Sequence, residues 1–372
     1  MKVLQLLSTK RGLYNKSGSP NGGLEAVLIN LHEAFVEAKW DAFYSDSIES
    51  SKSDATIRYD LSSYKNYSIY ASHIRDWIER EKPDLVIVHG ANTLLDYLTR
   101  MSVRVLFVEH SMAYSINLNS YGKFFSITAP EARKIGSKII TVSPITMETK
   151  KKAIADFGVD FEFDGWCRFQ FPTHELLSLP VVKSENYCVT IARCERKKSI
   201  ERMLRHCTRN NIDWRLITYI PNEASQQWFT EQLAMYDQNK MYVGVDRPTT
   251  LNVLSRGAIL GSSSQHESAG VTAFEGLMFG LPLLLNEPLG QNGKHASRMF
   301  LPDDNFVATL RGEPEKIEKL MNLTIQERKN LRDMAVAYNG VEEVLKNLKQ
   351  YASEIGEPMS HSQSFFEQLL SA

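Results

Sequence analysis

Short apolar runs alternate with longer helical patterns along most of the 372 residues of the chain. The candidate strands are Val3–Leu7, Leu85–His89, Val103–Glu109, Ile139–Val142, Tyr187–Ala192, Trp214–Tyr219, Met241–Val245, Ala258–Gly261 and Leu283–Asn286. Most are rich in Val, Ile and Leu and apolar on both faces, which is typical of parallel strands covered by helices. The helical patterns between them are Leu24–Ala38, Tyr70–Glu81, Ile145–Phe157, Ser199–Cys207, Ala224–Tyr236 and Thr272–Phe279. This alternation predicts an α/β fold of doubly wound, Rossmann-like sheets.

One segment, Phe161–Leu179, interrupts the alternation with a glycine, a proline and scattered aromatic residues. The length of the chain suits two domains of ordinary size. We therefore predict a first domain over 1–165, a linker over 166–182 and a second domain over 183–354. Two such domains would face each other across a cleft, with ligands at the carboxyl ends of the strands. The predicted tail helices lie near Ile325–Asn339, Val341–Glu354 and Ser362–Leu370, and the last segment, about 355–372, is expected to pack back on the first domain.

The composition argues against several classes of protein. A formal net charge of −1 gives no global attraction to nucleic acid or to an anionic membrane. The apolar start, Val3–Leu7, is too short for a signal peptide, and no apolar run is long enough for a transmembrane helix. The cysteines form no Cys-x-x-Cys pair, so free buried thiols and a reducing cytoplasm are expected: Cys167, Cys188, Cys194 and Cys207.

The segment from Gln265 to Leu277 carries the strongest chemical signal. A helix is predicted to begin near Ala269–Val271, and its free N–H groups and positive dipole end suit a diphosphate. Glu267 precedes this helix and can reach sugar hydroxyls, while Glu275 lies within it and can accept hydrogen bonds from a ribose. The structural alternative is an acid that favours the helix dipole, followed by an ordinary surface glutamate.

These residues are similar to the E-x7-E signature of the retaining glycosyltransferases of family four, which have the GT-B fold. The residues that fit the signature are Ser263 or Ser264, Glu267, Ser268, Gly270, Glu275, Gly276, Gly280 and Pro282. Ser268 departs from the pattern, because glycine is usual there. The resemblance implies a catalytic role for Glu267. It also implies a donor-binding group made of Ser268, Ala269, Gly270, Val271 and Glu275.

A basic segment follows the predicted strand Tyr187–Ala192. Members of the family that this chain resembles carry an Arg at the end of that strand and a Lys five or six positions later, and both contact the donor diphosphate. Arg193 and Lys198 fit those positions, with Lys197 as the fallback. Fixed cations stabilise the charge that develops on a leaving diphosphate without proton transfer. The structural alternative is a solvated basic turn.

Two further positions resemble the family in the predicted first domain. Gly22 and Gly23 precede the first helical pattern and resemble a Gly-Gly loop whose N–H groups approach the donor phosphate and the acceptor. The preceding insert, 8–21, is longer than the family's usual loop. His110 follows a predicted strand, as does a family histidine that faces the reacting sugar. A Gly-Gly pair is more often only a turn, and a histidine at a strand end is more often structural.

No metal or cofactor is expected. The D-x-D-like segment Asp160–Asp164 falls in the predicted linker and is interpreted as surface. The segment 290–294 suggests a phosphate-binding loop, but His295 stands where Ser or Thr is needed. Members of the resembled family commonly work without a metal.

The leading hypothesis is a retaining transferase that moves a sugar from a nucleotide-sugar, by default a UDP-sugar, to a hydroxyl of a glycan or small molecule. The alternative acceptor is DNA, because the strand end at His110 and the segment Phe169–Pro172 faintly resemble phage enzymes that glucosylate hydroxymethyl-cytosine. Six basic residues could bind the phosphates of the DNA: Lys10, Arg11, Lys16, Lys150, Lys151 and Lys152. A non-catalytic protein that binds nucleotide-sugar or glycan is the alternative of another class. An epimerase or phosphorylase sharing the GT-B fold is a third.

Overall fold

The structure is a computed structural model. It describes residues 1–7, 23–46, 57–58, 67–90, 92–110, 122–156, 158–264, 267, 270–287, 295–312 and 314–359. For 23–24, 45–46, 57–58 and 67–70 it describes the backbone alone. The chain forms two compact units, Met1–Phe169 with Val341–Ala372, and Gln170–Gly340.

The first unit is built on a parallel sheet in the order β3-β2-β1-β4-β5-β6-β7. Its strands are β1 Lys2–Leu7, β2 Asp41–Asp46, β3 Ile57–Arg58, β4 Leu85–His89, β5 Leu106–Glu109, β6 Lys138–Thr141 and β7 Gly165–Trp166. Its helices are α1 Gly23–Glu37, α2 Tyr67–Glu81, α3 Asn92–Arg100, α4 Ala129–Lys134 and α5 Pro144–Ala155, with a π-helical turn at Phe124–Thr128 before α4. The described residues of β4 and β5 are all buried, because helices cover both faces of the sheet.

The second unit is built on a parallel sheet in the order β10-β9-β8-β11-β12-β13. Its strands are β8 Tyr187–Arg193, β9 Asp213–Tyr219, β10 Met241–Val243, β11 Ile259–Ser262, β12 Leu283–Leu285 and β13 Val307–Thr309. Its helices are α6 His174–Ser178, α7 Ile200–Arg209, α8 Glu223–Leu233, α9 Arg247–Arg256, α10 Val271–Met278, α11 Pro314–Met321 and α12 Ile325–Tyr338. The last described helix, α13 Val341–Ile355, belongs to the first unit.

The two sheets confirm the predicted α/β class, and every strand predicted from an apolar run is present. The strands β2, β3, β7 and β13 were not predicted, because they are short or polar and so lack a continuous apolar run; β3, β7 and β13 are edge strands, whereas β2 lies between β3 and β1. In the first sheet, β5 begins at Leu106, whereas the predicted strand begins at Val103. Val103 forms an isolated bridge with Met359, and the Arg104 N–H donates to the Pro358 carbonyl, so these residues face the tail.

The segment Phe161–Leu179, which interrupts the predicted alternation, is partly built into the first unit. Gly165 and Trp166 within it form β7, paired with β6. Phe161 and Phe163 lie in the hydrophobic core and make edge-on contacts with Phe125, at ring-centroid distances of 4.9 and 5.6 Å. The aromatic residues that suggested an irregular connection therefore fill a core. The four cysteines are buried and free, as predicted. Each helix among the described residues is too short or too polar to cross a membrane.

Candidate functional site

In the second sheet, the direction in which successive strands are added reverses at two adjacent parallel strands, β8 and β11. From β8 it winds outward to β9 and β10, and it then returns to β11 and winds the other way through β12 and β13. The carboxyl ends of strands at such a switch point form the crevice in which open α/β sheets bind ligands. Lys198 follows β8 and Glu267 follows β11, so both predicted site residues lie at this edge.

Lys198 and Glu267 form a partly buried ion pair. Nζ of Lys198 donates to Oε2 of Glu267 over 2.8 Å, and their side chains are 18% and 19% exposed. The Ser263 hydroxyl donates to the Lys198 carbonyl over 3.1 Å, which ties the end of β11 to the turn that carries the lysine. Burial alone would raise the pKa of Glu267, but the charge and hydrogen bond of Lys198 outweigh it and lower the pKa below its ordinary value. Glu267 is therefore ionised at neutral pH.

The amino end of α10 lies directly behind Glu267. The N–H of Gly270 donates to Oε1 of Glu267 over 3.3 Å, and Gly270 has a left-handed φ of +65°. A Cβ at this position would overlap with the hydroxyl of Ser297, so the turn requires glycine. The helix begins at Val271 and ends before Gly280, whose φ is +67°. The predicted start and stop of this helix are thus confirmed, while Ser268 and Ala269 lie outside the described residues.

Glu275 forms a second ion pair on the same helix. Nη1 of Arg247, the first residue of α9, donates to Oε1 of Glu275 over 2.7 Å, and Nη2 donates to Glu175 over 3.0 Å. Burial raises the pKa of Glu275, and Arg247 offsets only part of this rise. Arg247 was not predicted as a site residue, because it lies 28 residues before Glu275 and belongs to no recognisable motif.

Arg193 ends β8 and is half exposed. Its Nη1 lies 3.4 Å from Oε1 of Glu195, whose other oxygen lies 3.1 Å from Nζ of Lys197. Of the two candidate lysines, Lys198 contacts Glu267, whereas Lys197 contacts Glu195. Arg193 and Lys198 therefore supply two cations at the carboxyl end of one strand.

His295, which sequence analysis treated only as a mismatch in a phosphate-loop pattern, is buried beside the pair. Its Nδ1 accepts the N–H of Ser297 over 3.2 Å, and its Nε2 lies 3.4 Å from the hydroxyl of Ser262. Burial lowers the pKa of His295 to about 4, and the opposing effect of Glu267 is smaller. The imidazole is therefore neutral at pH 7.

In the first unit, His110 contacts a second histidine at the carboxyl end of β4. Its Nε2 lies 3.0 Å from Nδ1 of His89, and Nε2 of His89 lies 3.3 Å from Oε1 of Gln5. The glutamine oxygen can only accept, so Nε2 of His89 donates to Gln5 and Nδ1 of His89 accepts a hydrogen bond from the Nε2–H of His110. Burial lowers the pKa of His89 to about 3 and places that of His110 well below its ordinary value. The ring of Phe169 lies 6.0 Å from that of His110.

The prediction that a group of basic residues could bind DNA phosphates is wrong for Lys150. Lys150 is fully buried, with Nζ 3.5 Å from Oε1 of the buried Glu109, and Lys151 pairs with Glu162. Lys150 is therefore part of the interior rather than a phosphate contact. The other basic residues of that argument in the N-terminal insert lie outside the described residues: Lys10, Arg11 and Lys16.

The last acid of the D-x-D-like segment Asp160–Asp164 has a structural role. Asp164 is mostly buried, accepts the N–H of Ile139 over 2.8 Å and pairs with Arg133 at 3.1 Å, so the interpretation of this acid as surface was wrong. Among the described residues, no three His, Cys, Asp or Glu side chains are placed to share a metal ion. Gly23 begins α1, whereas Gly22, the segment 290–294 and the predicted helix Ser362–Leu370 lie outside the described residues.

The comparison with solved structures agrees with this fold. The chain is similar to a solved glycosyltransferase from Rickettsia africae (TM-score 0.65, 14% identity, 95% of this chain and 98% of that chain). It is also similar to the sucrose-phosphate synthase of Thermosynechococcus elongatus (0.65, 14%, 100% of both chains). A third similar structure is a TarM variant from S. aureus in complex with Fondaparinux, alpha-GlcNAc-glycerol and UDP (TM-score 0.65, 10% identity, 95% of this chain and 100% of that chain). No protein-family model and no curated protein matches the chain. The likeness shows the GT-B type of fold, with two Rossmann-like α/β units.

Proposed function

We propose that the protein is a retaining glycosyltransferase that moves a sugar from a nucleotide-sugar to a hydroxyl group of a glycan or small molecule. The observation that carries the proposal is the Lys198–Glu267 pair at the switch point of the second sheet, next to the amino end of α10. That position is where a doubly wound sheet binds its ligand. The similar solved structures supply the reaction class, since several are described as glycosyltransferases.

The second unit would bind the donor. The N–H groups at the start of α10, from Val271 onward, would face its diphosphate. Arg193 and Lys198 would stabilise the negative charge that grows on the leaving nucleoside diphosphate as its bond to the anomeric carbon breaks. Glu267, held in place by Lys198 and Gly270, would accept hydrogen bonds from hydroxyls of the transferred sugar.

Glu275 would bind the ribose hydroxyls of the nucleotide. Arg247 holds its carboxylate at one oxygen, Oε1, and no described residue donates to the other, Oε2. A carboxylate with one oxygen fixed in this way is oriented before the ligand arrives, which reduces the entropy lost on binding. UDP is the nucleotide that we expect first, since the TarM structure holds it.

The first unit would bind the acceptor. His110, whose Nε2 proton is engaged by His89, presents Nδ1 as its remaining acceptor atom and would face the reacting sugar. Gly22 and Gly23 would supply backbone N–H groups to the ligand of this unit. No metal or cofactor takes part in this proposal, because protein cations supply the charge stabilisation. We place the acceptor among glycans and small molecules, since the structure removes Lys150 from the argument for DNA.

The test is to incubate the pure protein with UDP-, GDP- and ADP-sugars and measure release of the nucleoside diphosphate, with and without a panel of glycan acceptors. The anomeric configuration of the product, from its proton NMR coupling, decides whether the reaction retains configuration. Glu267→Gln keeps the shape of the side chain and should abolish release, whereas Glu231→Gln on the exposed face of α8 should leave it unchanged. A protein that binds these donors but never releases the diphosphate would instead be a binding protein. Interconversion of UDP-sugars without an acceptor would indicate an epimerase.

A further inference from the structure

A cavity of about 990 Å³ lies on the second unit, between α7, the turn after β13 and the start of α11. Four arginines line it: Arg202, Arg205, Arg209 and Arg311. The first three recur on α7 at spacings of three and four residues, so they share one side of that helix. The other side is buried in the core through Ile200, Met203, Leu204 and Cys207. The arginine side of α7 therefore faces the cavity and solvent.

The positive charge of this cavity is not balanced by its acids. Asp213 and Glu318 also line it. Asp213 is already bound by Arg215 at 2.7 Å and by Lys240 at 2.6 Å, so it cannot neutralise the arginines as well. Within the described part of the chain, Arg205, Arg209 and Arg311 form no ion pair with a carboxylate. Like charges gathered in one concave site raise the local concentration of anions.

The spacing and the remaining lining indicate the kind of anion. Guanidinium groups match phosphate oxygens in a two-pronged geometry. From Arg202 to Arg209 the helix rises by about 10 Å, which suits phosphate groups that are some distance apart rather than one phosphate. Asn186 and Asn211 line the same cavity, and their amides can donate to and accept from hydroxyl groups. Among the described lining residues there is no Phe, Tyr or Trp, and the one aromatic ring is the imidazole of His206, so the lining favours contacts with phosphate and hydroxyl groups over base stacking.

We propose that this cavity is a second binding site, for a small sugar or polyol that carries two or more phosphate groups. Its volume is at the upper end of the range for small-molecule sites. It is distinct from the Lys198–Glu267 site, because it extends from Arg202 along α7 to Asn186 and Asp213, at the amino ends of β8 and β9. The two sites share one structural link. Asn286 accepts from Arg202 over 3.3 Å and donates to the Ser263 carbonyl over 3.4 Å.

The test uses the full chain and calorimetry with fructose 1,6-bisphosphate as the probe, at about 50 mM and about 300 mM salt. Binding should weaken at the higher salt, because the contacts are ionic. Arg205→Ala with Arg209→Ala should weaken binding at least ~10-fold. The matched control, Lys183→Ala with Lys329→Ala, removes two exposed cations of the same unit that do not line the cavity, and should change binding less than ~2-fold.

Two comparisons complete the test. Tripolyphosphate carries at least as much charge as the probe but has no hydroxyl groups, so it should bind more weakly. Equal or tighter binding of tripolyphosphate would overturn the assignment to a sugar or polyol. Equal loss of affinity in the control pair, no loss in the arginine pair, or no binding of the probe to the native protein would overturn the site itself. Thermal melting followed by circular dichroism verifies that both variants are folded, and Arg205→Lys with Arg209→Lys provides a second pair that keeps the charge and should retain part of the affinity.

Discussion

Nζ of Lys198 lies 2.8 Å from Oε2 of Glu267, although 69 residues separate them in the sequence. The pair joins the loops that follow β8 and β11, which are neighbours in the sheet. A cation and an anion are thereby fixed at the carboxyl ends of β8 and β11, where the strand order of the sheet reverses. Neither is buried deeply enough to be inaccessible to a ligand.

Replacing Lys198 by Ala should lower kcat by about 10²- to 10³-fold, the range seen when one group that stabilises developing charge is removed. The change in KM should be small, because this interaction strengthens as the leaving group becomes charged. Lys197→Ala is the matched control, since Lys197 contacts Glu195 and not Glu267. Steady-state kinetics with the active donor measure both variants. A raised KM with a normal kcat in the Lys198 variant would contradict the proposed role.

Replacing Glu275 by Ala should weaken binding of the nucleotide by about 1.5–3 kcal/mol, the range for hydrogen bonds to a charged group. Calorimetry with UDP measures this loss without any turnover. Glu175→Gln is the control, because Glu175 also contacts Arg247 but is half exposed. An affinity for UDP that stays the same in the Glu275 variant would remove this residue from the site.

Replacing Lys150 by Ala should destabilise the protein by about 3–5 kcal/mol, because it removes a buried cation from beside the buried carboxylate of Glu109. Lys152, two residues later and exposed, should change stability by less than about 0.5 kcal/mol when replaced by Ala. Urea unfolding of both variants measures the difference. Similar stabilities would mean that the Lys150–Glu109 pair contributes little.

The stability of the first unit should fall as the pH is lowered from about 6.5 towards 3. The folded pKa of His89 is about 3, whereas an unfolded histidine titrates near 6.5, so the unfolded chain binds the proton first. The contribution of His89 to the free energy of unfolding is fully present above pH 6.5. Below that pH it falls by at most about 1.4 kcal/mol for each pH unit. Urea unfolding across this range should show a shallower slope for His89→Gln than for the native protein. His73→Gln, at an exposed histidine of α2, should leave the slope unchanged, and equal slopes in all three proteins would refute the prediction.

Removal of divalent metal with a chelator should leave most of the transferase activity, since Lys198 and Arg193 supply the charge that a metal would otherwise provide. Asp164, the last acid of the D-x-D-like segment, already accepts the Ile139 N–H and pairs with Arg133. Activity is measured after dialysis against EDTA and again after Mg²⁺ or Mn²⁺ is added back. Loss of activity that a metal restores would contradict a metal-independent reaction.

Much of the fold could be predicted because the interior strands are continuous apolar runs. β4, Leu85–His89, is an example in which the predicted and observed bounds coincide. β7 could not be predicted in this way, since Gly165 and Trp166 become a strand only by pairing with β6. Likewise, α13 was assigned to the second domain from its position in the sequence, whereas it is grouped with the first unit in the structure.

The α/β class, the helix that begins at Val271 and the approximate places of Lys198 and Glu267 can all be predicted from the amino-acid sequence. These follow from apolar periodicity and from local spacing, which act within a few residues. Three features depend on the folded chain: Lys198 rather than Lys197 pairs with Glu267, Arg247 pairs with Glu275, and Lys150 is buried. They could not be predicted, because these contacts join residues far apart in the chain. Their partners are chosen by the order of strands in the sheet and by the packing of helices on it, which no local pattern encodes.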